Sequence, residues 1–167
     1  MTHDPAIRLR PAGPDDAATV AEIWRAGWRE AHIGRVPAEL VAARTDESFR
    51  TRATESVTKT TVAMVGAELA GFVMVAADEV EQLYVPARHR GAGVADTLLR
   101  HGEGTIKAAG HATAWLAVVP GNARARRFYE RMGWTDGGPF EHLAPGDDGP
   151  IAVPAHRYVK RLSEAIR

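Results

Sequence analysis

Gln82-Leu-Tyr-Val-Pro-Ala-Arg-His-Arg-Gly-Ala-Gly-Val-Ala95 runs from a β-rich segment, through a basic turn, into the start of an amphipathic helix. N–H groups at a helix start have no intrahelical partner and carry the positive end of the macrodipole, so a pyrophosphate can accept several of them at once. Gly91 and Gly93 let a bulky ligand approach the backbone, and Arg88 and Arg90 add charge. Other nucleotide motifs fit less well. No Gly-Lys-Ser/Thr completes a Walker loop, and Asp96 stands where a dinucleotide fingerprint has its third glycine, where a carboxylate would repel phosphate. A glycine-rich strand-to-helix connection that binds nothing is the competing account.

Outward from this turn, the pattern predicts an α/β fold. Residues 6–10 form a strand, and turn residues then lead into a helix to about residue 31 with apolar positions Ala17, Val20, Ile23 and Trp24. A weaker helical stretch covers about 38–57, followed by a hairpin of strands at 61–65 and 69–77 and a further strand at 80–85. After the turn, Val94, Ala95, Leu98, Leu99 and Ile106 are spaced as one helical face. A strand at 113–119, a helix at 122–132 stopped by Gly133, a short strand at 134–135, a loop at 137–150 and a last strand near 156–162 complete the chain. The order implies a single domain, 1–167: an α/β/α sandwich around a mixed, mostly antiparallel sheet of six to seven strands.

A second constellation lies in Asn122-Ala-Arg-Ala125-Arg-Arg-Phe128-Tyr129, where Asn122, Ala125 and Tyr129 share one helical face and can meet one elongated ligand. Helix capping by Asn122 and packing of Phe128 and Tyr129 on the sheet are the structural alternatives.

Together the two segments resemble the GNAT superfamily of acyl-CoA N-acyltransferases. Arg90-x-x-Gly93-x-Ala95 is similar to its (Gln/Arg)-x-x-Gly-x-(Gly/Ala) motif, and Asn122 to Trp134 to its Asn-x-x-Ala-x-x-Phe-Tyr-Glu-x-x-Gly-Phe segment, with Trp134 in place of the usual Phe. The resemblance implies the GNAT fold and an enzyme that moves an acetyl group from acetyl-CoA directly to an amine, releasing CoA. By that likeness, the N–H groups of Arg90, Gly91, Ala92, Gly93, Val94 and Ala95 cradle the pyrophosphate with help from Arg88. The backbone of Leu83, Tyr84 and Val85 pairs with pantetheine, Asn122 and Ala125 contact its arm, and Tyr129 is the general acid. A non-catalytic acyl-CoA sensor or regulatory module is the alternative function.

An amine with a pKa near 10.4 is protonated at neutral pH, so attack needs a base or a proton-removing water chain. Glu79 and Glu81 precede the turn; strict alternation puts them on one face with Leu83 and Val85, opposite Asp78, Val80, Gln82 and Tyr84. Glu81 is preferred narrowly, and a bulge would change the facing. Trp24, Trp28, Glu30 and His32, with the 137–150 loop, are candidate walls of an acceptor pocket, the competing account being Trp24 in the core and the others at the surface. Glu30, Glu141, Asp147 and Asp148 could attract a cationic amine, although scattered acids are usually just solvated.

Composition bounds the rest. Lys plus Arg and Asp plus Glu both total 21, so no charge bias points to nucleic acid or an anionic membrane. Without cysteine, a covalent acyl-cysteine route is closed. The histidines show no metal-ligand spacing, so no metal is expected. With a polar stretch at residues 2–5 and apolar runs shorter than the roughly 18 residues of a membrane span, a soluble cytoplasmic protein is expected. Homodimerisation is compatible with the resemblance.

Overall fold

The computed structural model describes residues 6–163, so the polar stretch expected at residues 2–5 lies outside the described residues. The strands are β1 (Ile7–Pro11), β2 (Thr60–Val65), β3 (Glu68–Ala76), β4 (Glu79–Tyr84), β5 (Thr113–Val118), β6 (Thr135–Ala144) and β7 (Ile151–Arg161). They form one sheet in the order β1-β2-β3-β4-β5-β7-β6, antiparallel at every junction except β4 with β5. The helices are α1 (Ala17–His32), α2 (Ala38–Ala43), α3 (Asp46–Glu55), α4 (Val94–Ala108) and α5 (Ala123–Arg131).

Each face of the sheet carries its own apolar layer. On one, Trp24 and Trp28 of α1 and Phe49 of α3 close over Phe72 and Met74 of β3; on the other, Leu98, Leu99 and Ile106 of α4 cover Val73, Val80 and Leu116. Helices on both faces let the central strands bury both sides of the sheet, which is why the β3 run Leu69–Met74 is buried throughout.

Three expectations need correction. The stretch expected as one helix over 38–57 is two, because Thr45 caps α3 by accepting the Ser48 N–H at 3.1 Å, and Asp46 and Glu47 fill its first turn. The stretch expected as a loop over 137–150 is edge strand β6 as far as Ala144, and only 145–150 is a loop before β7. Its Gly137-Gly138-Pro139 sequence reads as a turn, yet it forms a register shift between Asp136 and Pro139, an arrangement an edge strand tolerates. Finally, β4 does not alternate strictly. Met74 pairs with Gln82 and Val75 with Val80, leaving Glu81 as an extra residue. This bulge puts Val80 and Leu83 together against the α4 layer and Tyr84 in the α1 layer, so Glu79 shares a face with Gln82 and Tyr84 rather than with Leu83.

Candidate active site

β4 and β5 pair at one register position, Glu79 opposite Trp115. Parallel strands that part after a single pair leave a split in the sheet, and backbone groups of β4 beyond Glu79 face it without a neighbouring strand. Two cavities open along the split. One, of about 480 Å³, runs beside Leu83, Tyr84 and Val85 and the turn before α4; the other, of about 350 Å³, lies between Trp28, His32, Glu79 and His142. They share the walls formed by Leu83, Tyr84, Asn122, Ala125 and Tyr129.

The turn residues are locally determined. Gly91 and Gly93 have φ of 82° and 84°, left-handed values that glycine adopts without strain, and Gly93 is the N-cap of α4. Arg90, Gly91, Gly93, Val94 and Ala95 line the larger cavity. Arg88 and Ala92 are exposed and do not line it. The Arg90 guanidinium donates to both carboxylate oxygens of Glu30, at 3.2 and 2.9 Å, and Arg124 reaches the same carboxylate at 3.1 Å. Glu30, suggested as a wall of an acceptor pocket, lines neither cavity and instead bridges two arginines of the larger one, and the hydrogen bond from Arg90 holds its pKa below the ordinary carboxylate value. Arg124, Arg127 and Arg131 of α5 also line this cavity and were not singled out from the sequence; the signal was an Arg-rich helix directly after Asn122.

α5 is anchored through Arg126, which donates to the Pro120 carbonyl at 3.0 Å, to the Tyr158 hydroxyl at 3.1 Å and to Asp136 at 3.1 Å. Asn122 Oδ1 accepts the Ala125 N–H at 3.3 Å, so the capping role is present while the residue also lines both cavities. Tyr129 projects from this anchored helix to the junction of the cavities. Its hydroxyl has no hydrogen-bond partner among the described residues, and burial raises its pKa, keeping the phenol protonated. Tyr84 is shifted the same way by burial and then by Tyr129.

The two glutamates sit in different environments. Lys59 Nζ holds Glu81 at 2.7 Å. Among the described residues Glu79 has only His142 within ion-pairing range, at 4.0 Å, and burial and Arg157 lower the pKa of that imidazole toward the neutral form. Burial, reinforced by Glu81 and Asp78, raises the Glu79 pKa to about 7.

Of the suggested acceptor-pocket residues, Trp24 is core, whereas Trp28 is buried and lines the smaller cavity with His32 stacked on it at 4.6 Å. His32 Nδ1 lies 2.8 Å from the Trp28 carbonyl, and burial lowers its pKa to about 4, so it is neutral at pH 7. Two cations at this cavity had no sequence signal: Arg44, which follows α2, and Arg52 of α3. Among the described residues there is no cluster of metal-ligating side chains, and no helix is long and apolar enough to cross a membrane.

Residues 17–134 match the model of the acetyltransferase (GNAT) family. No curated protein matches the chain. Among solved structures, the fold is similar to a GCN5-related N-acetyltransferase from Rhodopseudomonas palustris, at 22% identity and a TM-score of 0.70 over 96% of this chain and 98% of that one. The PaiA N-acetyltransferase of Thermoplasma acidophilum, solved in complex with coenzyme A, matches at 19% identity and 0.69 over 93% and 99%. YncA of Salmonella typhimurium, solved with its cofactor acetyl-CoA, matches at 16% identity and 0.68 over 97% of each chain.

Proposed function

This chain belongs to the acetyltransferase (GNAT) family, and we propose that it transfers an acetyl group from acetyl-CoA to an amine held in the smaller cavity, without a covalent enzyme intermediate. The observation that carries this reading is the meeting, at Tyr129, of the two cavities that open along the split between β4 and β5. The residues present fit the cofactor. The left-handed glycines and the N-terminus of α4 suit a pyrophosphate, the unpaired edge of β4 at Leu83, Tyr84 and Val85 suits an extended amide-bearing arm, and Arg124, Arg127 and Arg131 suit further phosphate. When bound, acetyl-CoA supplies the acetyl group already activated as a thioester.

Glu79 takes the proton that the acceptor ammonium must lose before its nitrogen can form the new C–N bond. With a pKa near 7 it is about half ionised at neutral pH and well matched to general-base work. Glu81, held by Lys59, is less free to do so, which reverses the preference drawn from strand position alone. Tyr129, its phenol kept protonated by burial, would supply the proton that the CoA sulfur takes on leaving, and a backbone N–H near Val85 would face the acetyl oxygen.

Thermal unfolding with and without acetyl-CoA tests the cofactor site. At a hundredfold over Kd, the ligand adds about 2.7 kcal/mol, a Tm rise of roughly 5–10 °C for a chain of this size. Gly93→Asp removes the rise. Stabilisation without turnover of any amine would instead favour an acyl-CoA sensor.

A further inference from the structure

The smaller cavity contains a charge imbalance that acetyl transfer does not explain. Arg44 is 6% exposed, and its Nε is buried with no hydrogen-bond partner. Arg52 stands 4.5 Å over the Trp24 ring, a contact that orients its guanidinium without neutralising it. Neither arginine makes an ion pair among the described residues. Asp147 and Arg52 act on Arg44 only through space; Glu81, which lines the cavity and acts on Arg52, is engaged by Lys59, and Glu55 acts on Arg52 without an ion pair. Burial lowers the Arg44 pKa to about 10, and the group is still charged at neutral pH. A charge taken out of water needs a partner, and an arginine cannot escape by losing its proton.

Both guanidinia line the cavity that also holds Glu79 and Tyr129. The molecule that enters beside Glu79 therefore meets a proton acceptor and two cations that no ion pair among the described residues engages. We propose that the acceptor is an amino acid whose carboxylate is received by Arg44 and Arg52 while its amine faces Glu79. The planar guanidinium fork matches a carboxylate bidentately, and binding supplies the counter-ion that the folded chain lacks. A cavity of about 350 Å³ is of a size for a small molecule, and its Trp28 and Leu40 walls can take an apolar side chain. Acids such as Glu30 and Glu141, suggested by the sequence as attractants for a cationic amine, do not line this cavity.

This inference rests on the acetyltransferase reading, and one set of measurements separates the two. CoA release from acetyl-CoA is followed with the common amino acids, each beside the amine obtained by removing its carboxyl group. The expected result is that at least one amino acid exceeds its decarboxylated partner in kcat/KM by tenfold or more. In Arg44→Gln and Arg52→Gln that ratio should fall by roughly 10- to 100-fold, the size of a lost charge-assisted hydrogen bond, mainly through KM. The wild-type comparison needs no variant and stands if either substitution prevents folding. Equal or better turnover of the decarboxylated amines overturns the inference, as does turnover of no amino acid by a chain that acetyl-CoA stabilises. If acetyl-CoA leaves Tm unchanged, the acetyltransferase reading itself fails.

Discussion

Glu79 stands opposite Trp115 at the one position where β4 and β5 pair, and from that residue pair onward the sheet divides. The same point is fastened by the Trp115 N–H to the Asp78 carbonyl at 3.0 Å and by Trp115 Nε1 to the Asp78 carboxylate at 3.1 Å. The proposed base is thus fixed at the apex of the cleft, where burial and neighbouring carboxylates raise its pKa.

From this follows a pH dependence. kcat/KM should rise with pH through a midpoint near 7 as Glu79 ionises, and Glu79→Gln should lower the plateau by roughly 10²- to 10⁴-fold and remove that limb. Retention of the limb in Glu79→Gln, with its loss in Glu81→Gln, would transfer the role to Glu81.

Stability should respond to the same group in the opposite sense. Between pH 4.5, the ordinary value, and about 7, the folded chain keeps a proton that the unfolded chain has lost, so stability falls as pH rises through that window. Glu79→Gln should therefore melt higher than wild type at pH 8 and lose most of that advantage near pH 4, as read by calorimetry at the two pH values.

Tyr129→Phe removes the proton donor at the junction of the cavities while keeping the ring that packs 6.1 Å from Trp134. Turnover should fall by about 10² or more, with the acetyl-CoA-induced Tm rise retained. An unchanged kcat would assign the leaving-group proton elsewhere, with Tyr84 the neighbouring phenol.

Two helical glycines should respond with opposite signs to the same change. A Cβ on Gly27 would lie 2.3 Å from Tyr84 Cδ1, whereas one on Gly104 meets nothing within 4 Å. Gly104→Ala should stabilise by about 0.5–1 kcal/mol, and Gly27→Ala should destabilise by about 1–3 kcal/mol because α1 must move off Tyr84. Denaturant titration separates them; stabilisation by Gly27→Ala would show that the ring relocates freely.

Glu30→Gln frees Arg90 and Arg124, which line the larger cavity, from the carboxylate they share. Because the pairs are partly exposed, stability should change by less than about 0.5 kcal/mol. CoA should bind several-fold more tightly, as titration calorimetry would register; weaker binding would mean that Glu30 positions the arginines instead of competing for them.

Much of this site is legible in the chain because it is built from short segments. The strand, turn and helix around Arg90 to Ala95 and the helix from Asn122 to Tyr129 each follow from residue type and spacing within about a dozen positions, and the structure brings them together along one split. The caps were legible as well: Thr45 before Asp46 and Glu47 marks a helix start that a reading of 38–57 as one element passes over. β6 was not, since Gly137-Gly138-Pro139 has the chemistry of a turn and becomes a strand only by pairing with β7.

What the sequence determined by itself was the mixed, mostly antiparallel sheet, the glycine turn before α4 and the tyrosine helix, because local periodicity, glycine conformations and helix-end chemistry act over a few residues. Only the tertiary structure decided which glutamate is free, since one unpaired residue in β4 turns Glu79 toward the cleft face of Tyr84 and a lysine 22 positions away occupies Glu81. Only the tertiary structure, too, brought Arg44 and Arg52 to the wall of the smaller cavity with no ion pair among the described residues. Charge compensation depends on what stands beside a group in space, and neighbours from α2, α3 and the sheet are brought together by packing alone.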